Sequence, residues 1–586
     1  MEHDTATPIA RAHPSPATDA CAALLSELIA LGVRHVVLSP GSRSQALALL
    51  AAELERRGDI QLHVRIDERV AAFMALGIGR ESGVPAVVIC TSGTAAANYL
   101  PAALEAHHSG VPLILLTADR PPELRGIGAN QTADQVRLFA SLAAAGRFVG
   151  IDVAVPTEID DDGRGPQSVL WRSWARRAWD AATGLAAVTE GSAGAAASTP
   201  GPVQLNLGLR EPLAGTLPAW IGDRAEVSTP PATKTVPTVL ARGPRTVVIA
   251  GADAGRAAEQ LAHEGGWPLI AEIVSGARFG RHVVHGYREL LREPSLGGRI
   301  ERAVVFGHPT LTREVNALLS RADIDVLAVR GPGERLNLNG VTTSIDAAEV
   351  EPGDADRAWL GEWMRASRDA SIDLSPPAPD LAALHSKDRE QRLGAVAAEL
   401  GAVRLELDRE GLVDAVWRAT WPHDRLLFGS SRLVRVADDV LPGKAVRVHA
   451  NRGLAGIDGT IATGLGIAAA SQDGGQPGVT RVLVGDLTML HDVGALLLPP
   501  IESEPRIQVI VGNDGGGTIF DGLEVADAAS AEDMQRVLYT PQNARLEHLA
   551  LAYGWEYHRV TTRSALDQVL TKPVGGRQLI EVPLTR

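Results

Sequence analysis

Short unbroken apolar runs alternate along this chain with Ala- and Leu-rich stretches of helical period. The run VRHVVL (33–38) ends in the turn Ser39-Pro40-Gly41-Ser42-Arg43-Ser44, which leads into a helical stretch. The unit repeats as a strand over Ala86–Cys90, the turn Thr91-Ser92-Gly93-Thr94, a helix over Ala95–Ala106 and a strand over Leu113–Thr117. Before the first strand, Asp19–Leu31 reads as a helix capped by Asp or Thr. Strands that are apolar throughout, without a polar alternate face, are covered on both sides, as in parallel sheets wound with helices.

The same grammar recurs twice. A second set comprises Thr246–Ala250, Leu269–Ile273, Ala303–Phe306 and Asp325–Val329; a third begins near Leu405 with Leu426–Phe428, Arg481–Val484 and Ile507–Val511. Stretches 216–243, with Pro230-Pro231, and 351–395, with Ser375-Pro376-Pro377-Ala378-Pro379, read as linkers, and Gly191–Thr199 as a surface loop. The expected fold class is therefore α/β, with three doubly wound parallel-sheet domains at 1–215, 216–395 and 396–586. The first and third look alike in layout.

Composition narrows the chemistry. The 586 residues include 60 Gly, scattered without period, which suits many tight turns at element ends. A formal net charge of −14 disfavours a general nucleic-acid binder, yet leaves room for local arginine clusters that meet small anions. Two cysteines, Cys21 and Cys90, cannot build a disulfide framework and suit a reducing compartment. Neither a signal-peptide pattern at Met1-Glu2-His3-Asp4 nor an apolar run of about 20 residues is found, so a cytoplasmic protein without a membrane span is expected.

Three places carry candidate chemistry. Glu68, in IDERVAAFMALG, stands where a short strand meets an apolar helix; it suits an acid that bonds a ring nitrogen, or a plain helix-start carboxylate. Thr91-Ser92-Gly93 opens a helix and turns backbone N–H groups toward a ligand, though any helix can be capped this way. Gly485-Asp486-Leu487-Thr488 precedes Asn513-Asp514-Gly515-Gly516-Gly517, with Asn513 27 residues after Asp486. That spacing admits one helix and the next parallel strand, so carboxylate, amide and carbonyl oxygens can share one sheet edge and suit Mg²⁺. The Gly run lets the backbone approach a diphosphate.

An acid in the first domain, with GD and a following Asn in the third, resembles the thiamin diphosphate enzymes. More narrowly, SPGSRS (39–44), IDERVAAFMALG (66–77), TSGTAAANYLPA (91–102), ADRPPELRGIGANQT (118–132), HANRGLAGIDGT (449–460) and GDLTMLHD (485–492) resemble the SEPHCHC synthase family. The likeness covers the first and third domains nearly end to end and the middle domain much less.

The resemblance implies pyrimidine-binding, central and diphosphate-binding domains. It implies thiamin diphosphate with Mg²⁺ or Mn²⁺, and condensation of 2-oxoglutarate with isochorismate with release of CO₂. Glu68 would be the catalytic acid against the aminopyrimidine, with Thr91, Ser92 and Gly93 also on the cofactor. Asp486, Asn513 and the Gly515 carbonyl would hold the metal. Substrate positions carried over are Ser42, Arg43, Arg120, Gln131, Ser431, Arg435, Arg452 and Ile457, with Arg313 on a looser match. The family expectation is a homodimer with shared active sites, and a tetramer is plausible. An acetolactate-synthase-like lyase is the alternative, against which the many arginines argue, since pyruvate needs less carboxylate recognition.

Other features stay outside this reading. Thr518 is inserted before Ile519-Phe520 relative to the family's motif. His107-His108, near a helix end, reads as structural. GADAG (251–255) after a strand lacks the glycines and the following acid of a dinucleotide turn.

Overall fold

The computed structural model describes residues 15–140, 142, 149–155, 165–185, 199–222, 236–375 and 378–586. Residues 1–4, Pro230-Pro231, Pro376-Pro377 and all but the last residue of the 191–199 loop lie outside them. The chain divides into two compact units, 1–231 and 232–586.

In the first unit the apolar runs become β1 (His35–Leu38), β2 (Gln61–Val64), β3 (Ala86–Cys90), β4 (Leu113–Asp119), β5 (Val149–Ala154) and β6 (Pro202–Gly208). They form one parallel sheet in the order β2-β1-β3-β4-β6-β5. All residues of β1, β3, β4 and β6 are buried, as expected for strands covered on both faces. The helix expected from Asp19 begins at Pro16, because Ser15 Oγ accepts the Thr18 N–H (3.3 Å) and proline suits a first turn; it ends at Gly32. The single helix expected over Ala95–Ala106 is two pieces, Thr94–Ala97 and Leu100–Ser109. Pro101 cannot donate into a continuing ladder and so sits in the first turn of the second piece.

The second unit holds two main sheets. Strands β7 (Thr238–Leu240), β8 (Thr246–Ala250), β9 (Leu269–Ala271), β10 (Arg302–Phe306), β11 (Asp325–Val329), β12 (Thr343–Ile345) and β13 (Ala348–Val350) come first. Five of them make a parallel sheet, β12-β11-β10-β8-β9, while β7 and β13 pair separately. The 351–395 stretch, expected to link, contains the helix Arg357–Asp369. Asp356 caps it, and Trp359 and Trp363, one turn apart, fill the core of the middle sheet. In the GADAG turn, a Cβ on Gly251 would stand 2.0 Å from Pro309 N, so that glycine serves close packing of two turns.

The last sheet comprises β14 (Arg425–Phe428), β15 (Arg447–Ala450), β16 (Thr480–Gly485), β17 (Ile507–Asn513), β18 (Glu556–Arg559) and β19 (Arg577–Pro583), ordered β15-β14-β16-β17-β19-β18. Counted from its own first strand, this order repeats that of the first sheet. In both, strand order reverses between the first and third strands, which opens a crevice at their carboxyl ends. No helix among the described residues is long and apolar enough to cross a membrane.

Candidate active site

In the first unit the predicted residues lie on the segments that follow β1, β2, β3 and β4. Thr91 Oγ1 accepts the Arg43 N–H (3.1 Å), and a Cβ on Gly41 would stand 2.2 Å from Thr91 Cβ, so these two turns interlock. Ser92 Oγ donates to Gln131 O (2.9 Å), and Gln131 Nε2 donates back to Ser92 O (2.8 Å). Gln131 holds this position at φ 54, a left-handed conformation costly for a non-glycine residue. The Gly93 N–H donates to Gln135 Oε1 (2.8 Å), and Arg120 Nη1 lies 3.5 Å from Ser92 Oγ.

Arg43 is buried, donates to Leu209 O (3.1 Å) and pairs with Glu211 at 3.7 Å. Burial first, and the nearby Arg120 charge second, press its pKa below the ordinary value. Two cations so placed are stabilised by an arriving anion. Ser42 is exposed at the turn. Glu68 is the first residue of the helix Glu68–Ser82, directly after Asp67, whose Oδ1 caps the Arg69 (2.8 Å) and Val70 (3.3 Å) N–H groups. It is half-buried and lies near the buried Cys90 and Tyr99, whose pKa values are raised by burial first, with Cys90 next for Tyr99 and Glu68 adding to both. His107 and His108 occupy the last turn of the helix Leu100–Ser109, which leads back to the amino end of the central strand β4.

A buried polar network under these loops was not read from the sequence. Asn206 Nδ2 donates to Asp119 Oδ2 (2.9 Å) and Asp152 Oδ1 (2.9 Å), while its Oδ1 accepts from Thr117 and Gln135, both at 2.9 Å. Burial raises the Asp119 pKa, against the bond from Asn206 and the charge of Arg125. Polar residues within fully buried strands were the available signal, since such groups need partners.

In the second unit, register pairs Gly485 with Gly512, so Asp486 and Asn513 follow on neighbouring strand ends. Asp486 is buried, and burial followed by the Asp514 charge pushes its carboxyl up to about 6. Asn513 Nδ2 donates to Glu581 Oε1 (2.7 Å), which turns its Oδ1 toward the glycine loop, where it accepts the Gly515 N–H (3.3 Å). Gly515 has φ 74, and a Cβ on Gly516 would stand 2.1 Å from Tyr539 O, so neither position suits a larger residue. The Gly515 carbonyl accepts from Arg586 Nη2 (2.6 Å). Thr518 is buried and donates to Asp514 Oδ2 (2.5 Å). A buried carboxylate short of positive charge, an amide oxygen and a carbonyl form an all-oxygen donor set, which fits Mg²⁺ or Mn²⁺ and a diphosphate.

The remaining predicted residues lie in this unit too. Ser431 caps the helix Arg432–Val440, accepting the Leu433 N–H (3.2 Å), and its Cβ is 3.9 Å from where a Cβ on Gly485 would be. Arg435 Nη1 donates to Ser431 O (3.0 Å). Its pKa is lowered by burial, then by Arg452 and Arg288, so a second cationic cluster forms. Arg452 is buried, with Nη1 3.5 Å from Ser430 Oγ. Ile457 is exposed in the loop after β15, and Arg313 is exposed and paired with Glu524 (2.9 Å).

Two sheets of identical strand order, one with the buried Arg43 and half-buried Glu68 at its strand-end loops and the other with the buried Arg452 and an all-oxygen donor set, have the layout of a thiamin diphosphate enzyme. The model of the family described as "Thiamine pyrophosphate enzyme, N-terminal TPP binding domain" matches residues 18–138. The chain is 51% identical to the 2-succinyl-5-enolpyruvyl-6-hydroxy-3-cyclohexene-1-carboxylate synthase of Leifsonia xyli subsp. xyli, covering 98% of this chain and 97% of that protein. It is 50% identical to the synthase of the same name from Clavibacter michiganensis subsp. michiganensis, with the same coverage, and 35% identical to that of Mycobacterium avium, with 98% and 97% covered. The chain belongs to the 2-succinyl-5-enolpyruvyl-6-hydroxy-3-cyclohexene-1-carboxylate (SEPHCHC) synthase family of thiamin diphosphate-dependent enzymes.

Proposed function

We propose that this chain condenses 2-oxoglutarate with isochorismate, releasing CO₂ and forming SEPHCHC in menaquinone biosynthesis. The carrying observation is a pair of arginine clusters at the strand-end loops, buried Arg43 with half-buried Arg120 and buried Arg452 with half-buried Arg435. Both substrates are carboxylates, and guanidinium forks bind them with direction as well as charge. An acetolactate-type lyase has no comparable need.

Asp486, Asn513 and the Gly515 carbonyl would hold Mg²⁺ or Mn²⁺ against the diphosphate, with Arg586 yielding that carbonyl. Thr91, Ser92 and Gly93 would line the cofactor, and Glu68 would hold a proton at its carboxylate in a hydrogen bond to the aminopyrimidine. Bound thiamin diphosphate supplies a nucleophilic carbon and a sink for the electrons left by decarboxylation. Ser42, Arg43, Arg120, Gln131, Arg313, Ser431, Arg435, Arg452 and Ile457 would bind and orient the substrates. The working form is a cytoplasmic homodimer with active sites shared between subunits, each chain carrying pyrimidine-binding, central and diphosphate-binding domains.

The test is isochorismate consumption with 2-oxoglutarate, thiamin diphosphate and Mg²⁺. Turnover of pyruvate but not of this pair overturns the reading. Glu68→Gln is expected to lose activity by about 100-fold or more, the scale of a lost proton-transfer group, with an unchanged circular-dichroism spectrum; near-normal turnover removes Glu68 from its role.

A further inference from the structure

Glu272 follows β9 inside the apolar run LIAEIV and is fully buried. Its Oε1 accepts two backbone N–H groups, from Thr310 (2.9 Å) and Leu311 (2.7 Å), while its Oε2 lacks a hydrogen-bond partner. Thr310 is the joint between this carboxyl and the cationic cluster. Arg452 Nε donates to Thr310 Oγ1 (2.9 Å), and Arg452 Nη2 donates to Thr310 O (3.0 Å). Two bonds from one planar guanidinium to one residue set both the position and the plane of that group.

We propose that Glu272 is a positioning residue for substrate recognition: it fixes the Thr310 peptide, and Thr310 fixes the Arg452 guanidinium. This rests on the reading of Arg452 as a substrate residue, and it gives the middle sheet a part in the reaction. Burial and the neighbouring Asp438 push the Glu272 carboxyl up to about 8, against the Leu311 and Thr310 bonds and the Arg452 charge. An expensive group with one orphaned oxygen, two bonds from a substrate arginine, is the pattern of a functional position.

The experiment uses the full-length enzyme with Glu272→Ala, Glu272→Gln, Thr310→Val and Arg452→Ala. Arg452→Ala identifies which substrate it serves, by the KM that rises. Glu272→Ala is expected to raise that same KM by about tenfold, the scale of one misplaced charged contact, with kcat within about twofold. Affinity for thiamin diphosphate with Mg²⁺, read by tryptophan fluorescence, is expected to stay unchanged. Glu272→Gln keeps the Oε1 acceptor and is expected to restore most of the loss. Thr310→Val, of nearly equal volume, is expected to reproduce the KM effect in part even where Glu272→Ala folds poorly. Glu272→Ala on the Arg452→Ala background is expected to add nothing, since coupled residues are non-additive.

Additive losses, or normal KM values in Glu272→Ala and Thr310→Val beside an impaired Arg452→Ala, overturn the relay alone. A normal Arg452→Ala overturns the assignment of Arg452 and the relay with it.

Discussion

A buried carboxyl whose pKa lies above its unfolded value binds more protons in the folded chain, and Glu272 is the clearest instance here. Its value moves from 4.5 to about 8, through burial first and Asp438 second, with Leu311, Arg452 and Thr310 opposing. Between those values the folded state holds the extra proton, so Glu272 stabilises at low pH and this contribution is lost as pH rises toward 8. Urea midpoints of the wild type and Glu272→Gln, measured from pH 5 to 8, are expected to shift in favour of the variant as pH rises; a constant gap contradicts the assignment. At this scale the sequence singles out Glu68, Arg43, Asp486 and Asn513, where chemistry and motif coincide. It was silent at Glu272 and Thr310, because an acid in an apolar run does not reveal which amides it will meet. The glycine loop after β17 shows the same limit: its glycines were legible, but that Asn513 is oriented by Glu581 from β19 was not.

At the scale of elements, the helix Arg432–Val440 carries Ser431 at its cap, Arg435 within it and Asp438 in its last turns. Asp438 Oδ1 accepts the Ile273 N–H (2.7 Å) and faces Arg278 Nη1 (3.4 Å), while Oδ2 accepts from Tyr287. Arg278 also donates to Leu441 O (2.8 Å) and Asp438 O (2.9 Å). The middle sheet thus grips the element that presents two predicted substrate residues. Asp438→Ala leaves Arg278, 2% exposed, without its carboxylate and is expected to destabilise by about 3–5 kcal/mol in urea unfolding. Ser431→Ala loses only a cap, and the expected cost is about 1 kcal/mol. Equal effects of the two variants would deny the grip. Element boundaries followed local signals where those were strong, as at Ala86–Cys90 and Thr246–Ala250. They departed where a proline intervened at 101, and where Trp359 and Trp363 drew a charge-rich stretch into a core.

For the whole molecule, the net charge of −14 coexists with two arginine clusters, each with one buried member, Arg43 and Arg452. Surface charge governs solubility and long-range steering, whereas buried guanidinium groups govern recognition, so the two need not agree in sign. Sedimentation velocity is expected to give a species of at least twice 61.6 kDa that carries the activity; a fully active monomer would remove the shared-site homodimer. The parallel α/β class, the recurring layout of the first and last sheets, and the residue types at the strand-end turns were all legible along the chain. These follow from apolar period, turn residues and motif spacing, all local along the chain. The identical 2-1-3-4-6-5 strand order, the meeting of Arg43 with Thr91, and the link from Glu272 through Thr310 to Arg452, 180 residues along the chain, emerge on folding. Strand order and long-range hydrogen bonds arise from packing between segments far apart in sequence, and no local pattern encodes which segments become neighbours.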